Sequence, residues 1–558
     1  MTQDHPIFAL SNRIVDDVAA EFPVYATYLG IAGHDHRWDD FSPAGHDAGR
    51  RLLERHREAV AELPDPTDEW DQLAVLVATG FLDEEIDRYA NEDHLRDLDS
   101  LASVAQDIRQ VFDHMDTKTT EGWEAIASRL KDLPEALAGY RQSLEAGRLK
   151  SLVVAKRQVE KVTEQARTHA GDESAFVRVG EAAREADIPA ELVASVDAGV
   201  ALARAAYGEF ADYLEAVYLP HADPKDAVGR ERYLRSARRF LGMTLDPEAT
   251  YAWGWGEVAR LRSEMEAVAE VISPGSSIAE VLELLKTDPD RLVADRDAFV
   301  AFIDGLERQA LADLGGTHFD VPENIRDVEV KLAPPGGPLG AYYVPPSEDF
   351  TRPGSVWWSL EGDGPFQTFD EVSTAYHEGF PGHHLQIGVQ MSHADKLSRV
   401  HRLLTWKAGL GEGWALYSEL VMDELGYLSN PDHRFGFLAA QMLRACRVVI
   451  DIGSHLEFPI PGDQPFHPGE EWSFETGVEM LEDYATLDKA YAESEMTRYL
   501  GWPAQAISYK VGEKAILDVR DELRERRGEA FDTKAFHSRV LEIGPVGIDL
   551  FRTLMLAD

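Results

Sequence analysis

The sequence predicts a mostly α-helical fold of many helices, with one small β-sheet beside the helix that carries its most informative motif. Two observations carry this reading. Runs such as AELVASVDAGVALARAAYGEFADYLEAVYL, residues 190–219, repeat apolar residues at three- and four-residue spacing and are rich in Ala, Leu and Glu. Against that background, residues 331–366 crowd prolines and glycines together and forbid a long helix.

The elements follow in order. From about residue 10 to 330 the pattern is one of amphipathic packing helices. In TLDPEATYAWGWGEVARL, Asp246 is a helix N-cap and Pro247 takes the first helical position, while YLPHADPKD breaks the chain near Pro220. Within the proline-rich tract, SVWWSL is β-branched and aromatic, and it lies between turns at Arg352-Pro353-Gly354 and Gly362-Asp363-Gly364. It reads as a short strand whose free edge either pairs with an extended peptide or is plainly structural. From Thr368 the helical pattern resumes, interrupted by loops such as EFPIPGDQPFHPGEEW, and runs to the end. No repeat or low-complexity tract stands out. The expected division is a helical N-terminal lobe over 1–230 and a catalytic lobe over 231–558, joined as one bilobal unit.

With 558 residues, 44% of them hydrophobic, the chain can bury a large core. Its 100 acidic residues against 55 basic ones give a formal charge of −45, which argues against sequence-independent affinity for nucleic acid or anionic membranes. The single cysteine, Cys446, has no intrachain partner, so a reducing compartment is expected. No export signal and no stretch of about 20 apolar residues is visible, and the expectation is a cytoplasmic protein. Nothing in the sequence speaks to oligomeric state.

Residues 376–386, YHEGFPGHHLQ, hold three histidines and a glutamate within eight positions, out of 19 histidines in all. Catalytic zinc wants three protein ligands and one open position, commonly two imidazoles and a carboxylate. His377 and His383 are six apart, which on an unbroken helix would point them about 120° away from one another. The helix cannot be unbroken, because Pro381 lacks the N–H that would reach the His377 carbonyl and Gly382 tolerates unusual backbone angles. With Pro381 and Gly382 looped out, the order is that of a His-Glu-x-x-His motif with two inserted residues. His384, seven residues on and about two turns away, is the alternative second ligand.

The third ligand is sought on GLGEGWALYSELVMDELG. Glu412 is the choice, since a carboxylate in an otherwise apolar first turn is costly unless paired or metal-bound. Glu419 is the second candidate, and a solvated helix face is a more natural reading for it than for Glu412. Glu378, next to a ligand, is then the general base that accepts a proton from a metal-activated water and returns it to a leaving amine.

The motifs HEGFPGHHLQ, EGWALYSE, RVVIDIGSH, RYLGWPAQAISYKVG and YYVPPSEDFTRPGSVWW, with YLPHADPKDAVGRERY, resemble the bacterial domain-of-unknown-function family DUF885 from about residue 200 onward. The resemblance implies a distant branch of the two-histidine-one-glutamate, gluzincin-like metallopeptidase clan. It implies a metallopeptidase-like helical fold, a small sheet beside the active-site helix, and zinc.

Further residues fit supporting roles. Arg447, Asp451 and His455 recur every four residues and share a helix face. His455 is a candidate to stabilise an oxyanion, and Arg447 to pair with Asp451 or a substrate carboxylate. Tyr509 is the candidate phenol donor to the oxyanion, with Gln505, Lys510 and Arg498 as candidate substrate contacts.

The expected activity is zinc-dependent hydrolysis of a peptide or related amide bond, on a small peptide or N-acyl-amino-acid substrate. The alternatives are a non-haem iron enzyme on the same two-His-one-carboxylate set and a non-catalytic metal-binding protein. The cations weakly favour an exopeptidase.

Overall fold

The computed structural model describes residues 5–333, 340–348 and 350–557. The Pro/Gly stretch 334–339, the densest part of the tract expected to forbid a helix, lies outside the described residues, as does Asp349. The fold is mostly helical with two small sheets, and among the described residues no helix is long and apolar enough to cross a membrane.

The chain divides into two compact units. The first spans Met1–Ala227 and takes in Asp395–Leu404 and Leu500–Trp502; the second comprises Val228–Ala394, Thr405–Tyr499 and Pro503–Asp558. Periodicity does not reveal the two short segments that the first unit recruits from far along the chain, because a spacing pattern reports which face is buried and not against what.

The first unit is built on helices Thr120–Leu149, Lys156–Ala170 and Ala190–Tyr213. Trp123, Ile126, Leu130, Leu133, Leu137 and Tyr140 recur at three and four residues on the first of these, facing Val196, Val200, Ala203, Tyr207 and Phe210 on the last. Past Tyr213 that helix loosens into a π-helical turn and then the 3-10 turn Leu219–His221, which holds the predicted break at Pro220.

In the second unit the cap at Asp246 forms as its residue type dictates, accepting from the Ala249 amide with Pro247 leading helix Pro247–Ile272. The sheet has three strands, Val328–Leu332, Ala341–Val344 and Gly354–Trp358. Gly354–Trp358 is its centre, parallel to the first and antiparallel to the second. The expectation of a free edge at SVWWSL is therefore corrected: both its edges are occupied. The burial of Val356 and Trp358 in one core with Phe299, Ile303 and Ala375 explains the central position, since a strand this apolar is stable only when covered.

Two helices, Ala408–Glu424 and Ser508–Arg527, touch backbone to backbone at glycines. A Cβ on Gly413 would sit 2.4 Å from the Gly512 carbonyl carbon, and one on Gly512 would sit 1.6 Å from the Gly409 carbonyl oxygen. This close crossing brings Glu412 and Tyr509 to the wall of one cavity. Gly512→Ala is expected to destabilise by about 1–3 kcal/mol, seen as a lower urea midpoint, because neither backbone can yield. Gly80→Ala, in open space on an exposed helix face, is expected to raise the midpoint instead.

Candidate metal centre

The motif is split across two helices. Glu371–Glu378 ends at the glutamate, the chain turns through 379–382, and a new helix runs His383–Ser392. The sequence expectation of a looped-out Pro381-Gly382 is thereby enlarged to a full break of four residues. Both glycines are demanded by close approach: a Cβ on Gly382 would lie 1.9 Å from the His377 carbonyl oxygen, and one on Gly379 would lie 1.7 Å from Glu307 Oε1. The turn is pinned from outside, with the Phe380 amide donating to Glu307 Oε2 at 2.7 Å and the Trp414 indole donating to the Pro381 carbonyl at 3.0 Å.

The break swings His383 back beside His377, their ring centres 4.9 Å apart and nearly perpendicular. Glu412 Oε2 lies 3.3 Å from His383 Nε2 and 3.5 Å from His377 Nε2, and ligand atoms of all three lie within 4.8 Å of one another. Two donors each about 2.0–2.2 Å from a tetrahedral ion stand roughly 3.3–3.5 Å apart, so the donor set fits zinc in both chemistry and spacing.

The other nitrogen of His377, Nδ1, bonds Glu419 Oε1 at 2.7 Å, and the Ser373 hydroxyl donates to Glu419 Oε2. Glu419 is buried, so it is not a solvated helix acid, and with both oxygens engaged it stands outside the cluster; it holds the His377 ring in position and fixes which nitrogen faces the cluster. Its signal was present as seven-residue spacing from Glu412, about two turns along the same face. His384 is corrected as the alternative ligand: the Tyr343 hydroxyl meets its Nδ1 at 3.0 Å and its Nε2 meets the Ile325 carbonyl at 2.8 Å, leaving no free lone pair. Burial pushes it down to about 4, so it stays neutral.

The electrostatics favour positive charge at the cluster. Burial alone would push His377 down, yet hydrogen bonds to Glu412 and Glu419 and the charge of Glu378 hold it up at about 9. Glu412 is half-buried and still held far below the carboxylate range by the two imidazoles. Glu378 is raised by burial, with His377 and His383 opposing.

A cavity of about 670 Å³ opens onto this cluster, lined among others by His377, Glu378, His383, Glu412, Tyr509 and Arg447. Tyr509 lies nearly parallel to His377 at 6.3 Å, under the Arg447 guanidinium at 4.8 Å, and burial pushes its phenol up to about 12. Arg447 itself is taken up by Glu495 at 2.7 Å and the Tyr499 hydroxyl at 3.0 Å, so its expected pairing with Asp451 is replaced.

Four candidates, His455, Gln505, Arg498 and Lys510, fall outside the cavity wall. His455 is fully buried with Nε2 on the Tyr499 carbonyl at 3.0 Å, and burial pushes it down to about 4, which makes it a neutral core histidine. Gln505 accepts from Arg498 at 2.6 Å, and Arg498 pairs with Glu495. Lys510 bonds Gln441 and Glu513 in a buried network beside a separate cavity of about 350 Å³. Helical spacing placed His455 on one face with Arg447 and Asp451, but the face turned to the cavity is set by the neighbouring helices. Sequence reasoning missed Arg444, one turn before Arg447 in the same helix, and Glu307, which carries no motif at all.

Residues 23–555 match the family described as bacterial protein of unknown function (DUF885). Among solved structures, a lipoprotein candidate from Colwellia psychrerythraea superposes with a TM-score of 0.87 at 23% identity, covering 99% of this chain and 98% of that one. A second, described as a lipoprotein candidate of unknown function from Shewanella oneidensis, gives 0.75 at 18% identity, covering 98% and 99%. At these identities the likeness is one of fold. No curated protein matches the chain.

Glu307 offers a test of the turn. Burial, against the Phe380 amide, pushes its carboxyl up from an ordinary 4.5 to about 8. Between those values the folded protein keeps a proton that the unfolded chain has released, so this group lowers stability as pH rises through that window. Glu307→Gln, which keeps an acceptor for Phe380, is expected to melt near wild type at pH 5 and above it at pH 8. Melting below wild type at both pH values would count against this account.

Proposed function

We propose that this chain, which belongs to the DUF885 family, is a zinc-dependent hydrolase of peptide or related amide bonds and a distant branch of the two-histidine-one-glutamate metallopeptidase clan. One observation carries the reading: His377, His383 and Glu412 converge on one point at the wall of a cavity, with the carboxyl of Glu378 beside them. A zinc ion held by these three would act as a Lewis acid and bring the pKa of its water toward about 7.

The chain's own groups divide the remaining work. Glu378, its proton affinity raised by burial, takes a proton from the attacking water and returns it to the departing amine nitrogen. Tyr509, kept protonated at neutral pH, donates its hydroxyl to the oxyanion that develops on the scissile carbonyl. Arg447, fixed by Glu495, lies over the Tyr509 ring and holds it in register with His377. Glu419 keeps the His377 ring from rotating.

The non-haem iron reading uses the same donors, and Glu378 beside a ligand favours hydrolysis over it. A cytoplasmic location is proposed on the lone, buried Cys446; the lipoprotein designation of the two solved proteins makes the cell envelope the competing compartment, and fractionation decides between them.

Protein purified without added metal is expected to carry zinc, and iron near one equivalent with oxygen-dependent turnover would sink the hydrolytic reading. Glu378→Gln is expected to retain zinc and to lose about 10²–10⁴-fold in amide-cleaving turnover against a mixed peptide and N-acyl-amino-acid library. Glu419→Gln is expected to weaken zinc binding about 10–100-fold in a competition titration, with turnover restored at saturating metal.

A further inference from the structure

We infer that Arg444 is the docking cation for a free C-terminal carboxylate, so that the hydrolase proposed above acts at the C-terminal end of short peptides or N-acyl-amino acids. The reaction depends on that reading; the binding of the carboxylate does not.

The cavity wall carries three cations, Lys286, Arg444 and Arg447, and their partners differ. Arg447 is satisfied by Glu495 and Tyr499. Lys286 is close enough to Asp370 to favour its charge. Among the described residues Arg444 donates only to the Ala440 carbonyl of its own helix, at 3.1 Å, and its Nε is buried with no hydrogen-bond partner. Among the described residues no carboxylate pairs with it, in a chain whose formal charge is −45 and where acids outnumber bases almost two to one. A half-buried guanidinium left this way is costly unless a ligand completes it, and its planar fork matches a carboxylate with two parallel hydrogen bonds.

Its position suits the chemistry. The Arg444 guanidinium lies 5.9 Å from the Tyr509 ring centre, and that ring lies 6.3 Å from His377, so the cation stands about 12 Å at most from the metal-binding imidazole. At about 3.3–3.6 Å per extended residue, one or two residues beyond the cleaved bond cover up to about 7 Å of this, and the ion–donor and guanidinium–carboxylate contacts, about 2 and 3 Å each, take up the rest. Arg444 also favours the charge of Glu378, which is the competing role: a cation that only tunes the base.

Calorimetric titration with N-acetyl-Ala-Leu and with its C-terminal amide distinguishes these roles, using metal-free wild type and zinc-loaded Glu378→Gln so that neither metal nor turnover decides the outcome. The acid is expected to bind at least tenfold more tightly than the amide in both backgrounds. Arg444→Gln and Arg444→Met should bring the ratio near one, and Arg444→Lys should keep part of it. Equal binding of acid and amide to the parent proteins, binding of neither, or a preference that survives Arg444→Gln overturns the proposal. Loss of turnover in Glu378→Gln with the preference intact supports both readings; turnover unchanged with the preference intact overturns the hydrolytic role of Glu378 alone.

Discussion

The site depends on one carbonyl that the helix cannot satisfy in the ordinary way. Pro381 has no N–H to return to His377, and Gly382 passes so close to that carbonyl that any side chain would collide with it. The helix must stop at Glu378, and the next must start at His383 from a turn that reverses the histidine's direction. A regular helix would have pointed the two imidazoles apart; the break sets them face to edge. The cost of that turn is met by groups outside the motif, a buried carboxyl on Phe380 and an indole on Pro381.

A second constraint sits opposite. Gly409, Gly413 and Gly512 let two helix backbones meet without side chains between them, and Glu412 and Tyr509 are carried to the cavity by that contact. The glycines and the carboxylate therefore belong to one design: the helix is stripped on the side that touches its neighbour and armed one residue away.

Three carboxylates, Glu378, Glu412 and Glu419, surround His377, and burial makes their mutual repulsion expensive. The arrangement is relieved by positive charge, whether a proton on the imidazole or a metal ion at the shared point. Farther along the Arg444 helix, the same burial acts on His455 without hydrogen-bonded carboxylates to oppose it and keeps it neutral in the core. The same residue type is thus a ligand candidate in one place and a packed aromatic ring in another, and only the neighbours distinguish them.

Local chemistry wrote much of this into the chain itself. The cap at Asp246, the break at Pro220 and the interruption of the motif at Pro381-Gly382 are consequences of residue type and short spacing, which do not need a partner to be read. What spacing could not supply is the identity of the partner. Glu419 and His384 have similar sequence credentials to the three residues that cluster, yet one orients His377 and the other is closed off by Tyr343 and Ile325. The SVWWSL strand was legible as a strand but not as the middle of a sheet, since its neighbours come from before and after it in the chain. Arg447, Gln505 and Lys510 share chemistry, and only packing assigned Arg447 to the cavity and the other two to internal hydrogen bonds. A sequence fixes which side chains a helix presents together; which of them meets solvent, metal or another helix is decided by contacts between residues tens to hundreds of positions apart, and these exist only once the chain is folded.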